Sequence, residues 1–122
     1  MPLIIHWPGE PARIIEYVTT HYDVLPTLLQ KHFLSKNPVS DYSIGQNLLK
    51  NEGRRPYVLA GSYVGMGIIE QDRLTNLLSS GDIQMTDLNA KPLVDADPRL
   101  PVLEDALHLM RAYFRQPKSI LR

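Results

Sequence analysis

Hydrophobic positions in the first eighteen residues form two short runs that predict strands. The run "PLIIHW" is closed by Pro8 and Gly9 and predicts a strand of about five residues, buried on both faces as in a parallel sheet. The run "RIIEYV" predicts a second strand. The first strand is the most hydrophobic element yet has no preceding βα unit to bury it, and an unpaired strand of this kind is prone to aggregation. The pattern therefore indicates a missing neighbour.

The hydrophobic period then becomes helical. Four apolar positions fall on one predicted helix face: Leu25, Leu28, Leu29 and Phe33. We expect the helix to begin at Asp23, whose carboxylate can cap the amides of the first turn. Pro26 lies within that turn, where its missing N–H costs no hydrogen bond.

The remaining chain predicts a long loop, an antiparallel meander and a final helix. Residues 35–55 are polar and rich in turn-forming residues. Four β-like runs follow, separated by tight turns: "PYVLAG", "YVGMGIIEQ", "RLTNLLSS" and "DIQMTDL". The run "RLTNLLSS" also fits a helix. An amphipathic helix that ends before Pro117 is then predicted to lie across one face of the meander, with four apolar positions at helical spacing: Leu103, Leu107, Met110 and Phe114.

This element order predicts an α+β fold when the chain is taken alone, or part of a larger α/β fold. The length of 122 residues fits one small domain. Formal net charge is zero and the basic residues are scattered apart from Arg54 and Arg55, so no nucleic-acid partner is expected. No window approaches the roughly 20 apolar residues of a membrane span, and no export signal is recognisable. The chain has no cysteine, which leaves the compartment open on composition alone.

Chemical candidates are few. His21 and Asp23 form an H-x-D pair that could ligate a metal or serve acid–base chemistry, but a catalytic zinc site needs about three protein ligands. A capping and hydrogen-bonding role for the pair is therefore favoured, and no catalytic, cofactor or metal residue is assigned. We expect His6 to be a core or strand-end residue, whereas packing is favoured over ligand stacking for Trp7. His32 and His108 are expected to be partly exposed.

One stretch resembles a known family. Residues 2–29, "PLIIHWPGEPARIIEYVTTHYDVLPTLL", resemble a segment of the sulfatase-like enzymes of the alkaline phosphatase superfamily: P-lii-x-x-P-g, a strand, a short turn and D-x-x-P-T-L-L. "YSIGQNLL" is similar to a later glycine-containing loop of that family. The matching positions are Pro2, Leu3, Ile4, Ile5, Pro8, Gly9, Asp23, Pro26, Thr27, Leu28, Leu29, Gly45 and Leu48.

The resemblance implies a fold and a setting. Residues 1–50 would be a strand-helix portion of a sulfatase-like α/β core with a long loop, and residues 51–122 an antiparallel β subdomain with a C-terminal helix. The sequence of these two stretches is most similar to the C-terminal end of a membrane-anchored member of the family on the periplasmic side of the bacterial inner membrane. That resemblance implies a link to lipopolysaccharide and outer-membrane lipid homeostasis, with enzymatic activity left open.

The resemblance also implies what this chain lacks. Family members carry the nucleophile and the metal ligands upstream of the matching segment, and no Asp-His dipeptide occurs here. The chain alone is therefore expected to be non-catalytic, with any divalent metal held by the full-length parent. Expected partners are the rest of the parent domain and a regulatory protein or lipid, together with a second copy paired through the N-terminal strand.

An alternative of another class remains open. The chain can be a free-standing interaction or lipid-head-group-binding module without catalysis. Arg54 and Arg55 would then be the natural contacts to a phosphate or a partner.

Overall fold

A four-stranded antiparallel sheet forms the centre of the protein. The computed structural model describes residues 2–114. The strands follow one another in space as they do in sequence, namely β1 (Tyr57–Ser62), β2 (Gly65–Glu70), β3 (Leu74–Leu78) and β4 (Ile83–Thr86). This confirms the predicted meander and shows that "RLTNLLSS" forms a strand. Gly81 in the last turn has a φ of 93°, a conformation that glycine adopts without steric cost.

The second helix covers one face of this sheet. Helix α2 (Leu100–Phe114) begins shortly after Pro98, as predicted, whereas Pro117 lies outside the described residues. The buried core joins the sheet to the helix and consists of Tyr57, Leu59, Ile68 and Ala106. In the sheet register Leu59 lies directly opposite Ile68, so both side chains point to the same face.

The helix is also fixed by a polar contact. Tyr57 donates a hydrogen bond from its hydroxyl to the Asp105 carboxylate at 2.6 Å. Of the predicted helical stripe, Leu103 and Met110 pack against the core and Leu107 is half-buried. The fold class is therefore confirmed as mixed α and β, with an antiparallel sheet and a C-terminal helix.

The N-terminal segment differs from the prediction. Residues 2–20 form no strand, so both strand predictions, for "PLIIHW" and "RIIEYV", are wrong for this chain. Ile4 and Ile14 are each 89% exposed, and His6 is exposed rather than buried. A strand buried on both faces requires neighbouring strands to satisfy its backbone groups, and the described residues place none beside this segment.

The first helix is where the sequence predicts it but faces differently. A 3₁₀ turn at His21–Asp23 leads directly into α1 (Val24–Lys31). Leu28 and Leu29 of the predicted apolar face are half-buried, but Leu25 and Phe33 are exposed, so the prediction is wrong at these two positions, while Pro26 and Thr27 are buried instead. The reason is that α1 contacts a polar loop through hydrogen bonds rather than an apolar core. That loop is irregular as predicted, apart from one 3₁₀ turn at Val39–Asp41. The division of the chain after residue 50 stays a prediction.

Candidate functional site

Asp23 lies at the centre of a buried polar cluster. Its side chain is 0% exposed, and its carboxylate accepts three hydrogen bonds. Oδ1 accepts from the backbone N–H of Gln46 at 2.8 Å, while Oδ2 accepts from the backbone N–H of Thr20 at 3.2 Å and from Arg54 Nη2 at 2.8 Å. A buried carboxylate needs such donors because its water shell has been removed.

This arrangement corrects the predicted capping of α1 by Asp23, although the predicted hydrogen-bonding role is confirmed and Asp23 completes a capping box with Thr20 at the preceding 3₁₀ turn. The carboxylate makes no hydrogen bond to the first amides of α1. The physical reason is that Asp23 itself has helical backbone angles, with φ −77° and ψ −18°, whereas a capping residue is normally extended. The acceptor is turned instead towards Thr20 at the start of the 3₁₀ turn and towards the long loop.

Arg54 joins three separate segments to this cluster. Its side chain is only 7% exposed, and besides Asp23 it donates to the carbonyl oxygens of Asn47 at 2.9 Å and Val18 at 3.2 Å. The guanidinium carbon lies 4.7 Å from the centre of the Tyr17 ring, a cation–π geometry. The buried cation is thus matched by a carboxylate, two carbonyls and an aromatic face.

Arg55 lies next to this cluster and is half-buried. Its backbone N–H donates to Gln46 Oε1 at 2.7 Å, and its guanidinium donates to the Ile44 carbonyl and lies 5.9 Å from the Tyr57 ring centre. Arg55 Nε is buried and has no hydrogen-bond partner among residues 2–114. The predicted phosphate contacts of the two arginines stay a prediction, and an anion reaching Arg54 would compete with the Asp23 carboxylate.

The loop that carries both arginines is docked closely on the first helical turns. Ser43 Oγ donates to the Tyr22 carbonyl at 2.9 Å, and the Leu48 N–H donates to Thr27 Oγ1 at 2.8 Å. A Cβ atom added at Gly45 would lie 1.9 Å from the Tyr22 carbonyl oxygen. Only glycine therefore permits this close approach of the loop to the first helical turn.

The histidines are not gathered into a site. His21 is exposed at the start of the 3₁₀ turn, and Asp23 beside it is already bound to three donors. Among residues 2–114 no group of three or more His, Asp or Glu side chains is placed to hold a metal ion. His32 instead stacks on Trp7 with ring centres 4.5 Å apart, so Trp7 packs as predicted but onto a surface histidine rather than the core.

Exposed apolar residues precede Trp7 and follow His32 in the chain, on both sides of this stack. Residues 3–5 closely precede Trp7, which stacks on His32, and Phe33 lies edge-on to the same histidine. Phe33 is 74% exposed, and we name the apolar N-terminal surface after its members, Leu3, Ile4, Ile5, Phe33 and Leu34. Single exposed apolar residues are ordinary, whereas a group of this kind is typical of an interaction surface.

Comparison with known proteins identifies relatives of the chain. No family model matches it. Over 107 residues, 88% of the chain, the sequence is 34% identical to the inner membrane protein YejM of Salmonella typhimurium, and the YejM of Salmonella typhi matches equally well. The chain is related to YejM. An uncharacterized protein of Haemophilus influenzae is 26% identical over 117 residues, or 95% of the chain.

The match covers only a small part of each relative. The chain spans 18% of the length of YejM and 20% of the Haemophilus protein, about a fifth of the curated relatives it matches. YejM is an inner membrane protein, and none of the helices described for the present chain is long and apolar enough to cross a bilayer.

The sequence alone did not reveal the ion pair at the centre of this YejM-related segment. Asp23 and Arg54 are separated by 31 positions and share no local pattern. The glycine at position 45, in the polar loop that precedes Arg54, was one sequence feature that could have indicated a close contact of this loop. A glycine in a polar loop is too common, however, to point to a particular contact.

Proposed function

We propose that this chain is a non-catalytic, C-terminal portion of a YejM-type protein. The parent would be a membrane-anchored protein of the sulfatase-like superfamily on the periplasmic side of the bacterial inner membrane, with a role in lipopolysaccharide and outer-membrane lipid homeostasis. The chemistry expected of such a parent is attack by a hydroxyl on a phosphorus or sulfur centre, with a divalent metal stabilising the developing charge. No residue of this chain is assigned to that chemistry.

The observation that carries the proposal is the apolar N-terminal surface. Ile4 is 89% exposed and is followed by Ile5, in the segment for which the hydrophobic pattern predicts a strand buried on both faces. The similarity to about a fifth of YejM supports the same interpretation, because a segment of a larger domain leaves apolar surface uncovered when it is taken alone. In the parent this surface would pack against the preceding part of the sulfatase-like sheet.

A matched pair of substitutions tests this role. Ile4→Asp and Val94→Asp introduce the same charge at two apolar residues that are both 89% exposed. In the full-length parent Ile4→Asp should destabilise by at least about 2 kcal/mol, because it replaces a fully buried aliphatic side chain with a charge, whereas Val94→Asp should be nearly neutral. Thermal unfolding of the two variants measures the difference.

The isolated chain gives a second measurement. Light scattering of the purified 122-residue chain should detect oligomers that Ile4→Asp disperses and Val94→Asp leaves unchanged. A monodisperse monomer, with equal behaviour of the two variants in the parent, would contradict the proposal. That result would favour the free-standing interaction module.

A further inference from the structure

A cleft lies on the side of the polar loop that faces the end of α1. It has a volume of about 330 Å³ and is lined by Arg13, Gln30, Lys31, Asn47, Leu49 and Lys50. Three of the lining side chains are cationic and none is acidic. The volume is at the lower end of the range for small-molecule sites, about 300 to 1,000 Å³, which is enough for a phosphate group and part of what it is attached to.

The neutral side chains of the cleft are held in a fixed orientation. Asn47 Nδ2 donates to Gln30 Oε1 at 2.9 Å, and Asn47 Oδ1 accepts from the Leu49 N–H at 2.8 Å. The Asn47 carbonyl accepts from Arg54, which is itself fixed in the ion pair with Asp23. Since the Gln30 oxygen is occupied, its Nε2 group is left as a pre-oriented donor at the cleft.

The cations of the cleft differ in how far they are neutralised. Glu10 lies outside the lining; it accepts a hydrogen bond from Lys31 and lies 3.8 Å from Arg13. The hydrogen bond from Lys31 is the main cause that lowers the pKa of Glu10. The backbone N–H of Lys50 donates to the Asn47 carbonyl at 3.2 Å, but its side-chain amine makes no hydrogen bond or ion pair with any residue among 2–114. Glu10 therefore offsets part of the charge of Lys31 and Arg13 but makes no ion pair with Lys50, which leaves positive charge for an anion from solution.

We propose that this cleft binds the phosphate group of a small phosphate ester or of a lipid head group. Lys50 and Arg13 would supply the charge, and Gln30 Nε2 a directed hydrogen bond. Glu10 would act as a built-in competitor, because its carboxylate already neutralises part of the same positive field. The inference rests on the cleft alone and does not depend on the proposed function.

The test uses the 122-residue chain and inorganic phosphate as the first probe, at constant ionic strength. Titration followed by NMR should give saturable shifts of the Gln30 and Asn47 side-chain amide signals. Lys50→Ala should weaken binding about fivefold, whereas Lys36→Ala, which removes the same charge from an exposed residue outside the cleft, should leave it unchanged. Glu10→Gln should strengthen binding by a similar factor, because it removes the competing charge.

A second arm distinguishes the two sources of phosphate. Vesicles of phosphatidylcholine with and without phosphatidylglycerol are compared by sedimentation. The site is assigned to a lipid head group if the chain binds the anionic vesicles, if Lys50→Ala reduces this binding and if free phosphate competes with it. Phosphate binding without vesicle binding assigns the site to a soluble phosphate ester. The proposal is overturned if the amide signals show no saturable shift in tens of millimolar phosphate. Equal weakening by Lys36→Ala and Lys50→Ala would overturn it as well, because binding would then follow net charge alone.

Discussion

Neutralising Asp23 should be among the most damaging single changes in this protein. Asp23→Asn keeps an oxygen that can accept the Gln46 N–H, so the main loss is the negative charge facing Arg54. The Asp23 side chain is fully buried, Arg54 is 7% exposed and their closest atoms are 2.8 Å apart. Removing one partner of such a pair leaves an uncompensated buried charge and costs about 3–5 kcal/mol. This is a large share of the roughly 5–15 kcal/mol by which domains are stable.

Urea denaturation followed by circular dichroism measures this loss. Because Arg54→Met removes the opposite charge, the double variant should recover part of the stability lost by Asp23→Asn, with a coupling energy of about 1–3 kcal/mol. The matched control is Asp72→Asn, which breaks a solvent-exposed pair with Arg99 and should cost far less. Two results would contradict this prediction: a loss of unfolding free energy for Asp23→Asn no larger than that for Asp72→Asn, or losses for Asp23→Asn and Arg54→Met that simply add in the double variant. In either case the ion pair does not hold the loop on the first helical turns.

Three further predictions concern single positions. Gly45→Ala should destabilise the protein by at least about 2 kcal/mol, because the new Cβ would collide with the Tyr22 carbonyl oxygen. Gly61→Ala is the control: none of the described residues has an atom within 4 Å of its new Cβ, and it should change stability by less than about 1 kcal/mol in the same denaturation assay. Hydrogen bonds from the Arg99 guanidinium lower the pKa of Asp72 to about 2. The contribution of Asp72 to stability is therefore fully present above the ordinary pKa of an aspartate and is lost as the pH falls through about 2. Denaturation midpoints of wild type and Asp72→Asn should therefore differ at pH 5 and converge in strong acid; a constant difference would contradict the assignment. Trp7 is the only tryptophan, so His32→Ala should shift its fluorescence emission to longer wavelength and make it easier to quench with acrylamide; an unchanged spectrum would exclude the stack.

The sheet and the second helix could be predicted because their determinants are local. Each strand is a short apolar run ended by turn residues, and the sheet pairs runs that are adjacent in sequence. The last helix follows from apolar residues at three- and four-residue spacing, although the pattern missed Ala106, the most deeply buried position of the helix. A small residue gives little hydrophobic signal even where close packing of a helix on a sheet requires it.

The polar cluster could not be predicted because its contacts are not local. The partners of Asp23 come from Thr20, Gln46 and Arg54, and nothing in the intervening sequence specifies that these positions meet. The prediction of which side chains of α1 are buried was partly wrong for a related reason. Apolar spacing predicts which face a helix presents to a core, but α1 is held on its loop by hydrogen bonds to buried polar groups such as Thr27.

Two of the wrong predictions in the N-terminal half concern apolar residues that were expected to be buried and are exposed, and this supports the proposed function. At residues 3–5 and at Phe33 the sequence predicts burial, and in both places the side chains are exposed. Both also lie in or directly after the stretch that resembles the sulfatase-like family, whereas the pattern succeeds in residues 57–114, where the sheet and α2 bury each other's apolar faces. Apolar residues that are exposed where their pattern predicts burial are expected of a segment that completes a larger sheet. Restoring the preceding part of the parent should therefore turn residues 3–5 into a paired strand, with amide protons that exchange slowly, and fast exchange there in the full-length protein would refute this account.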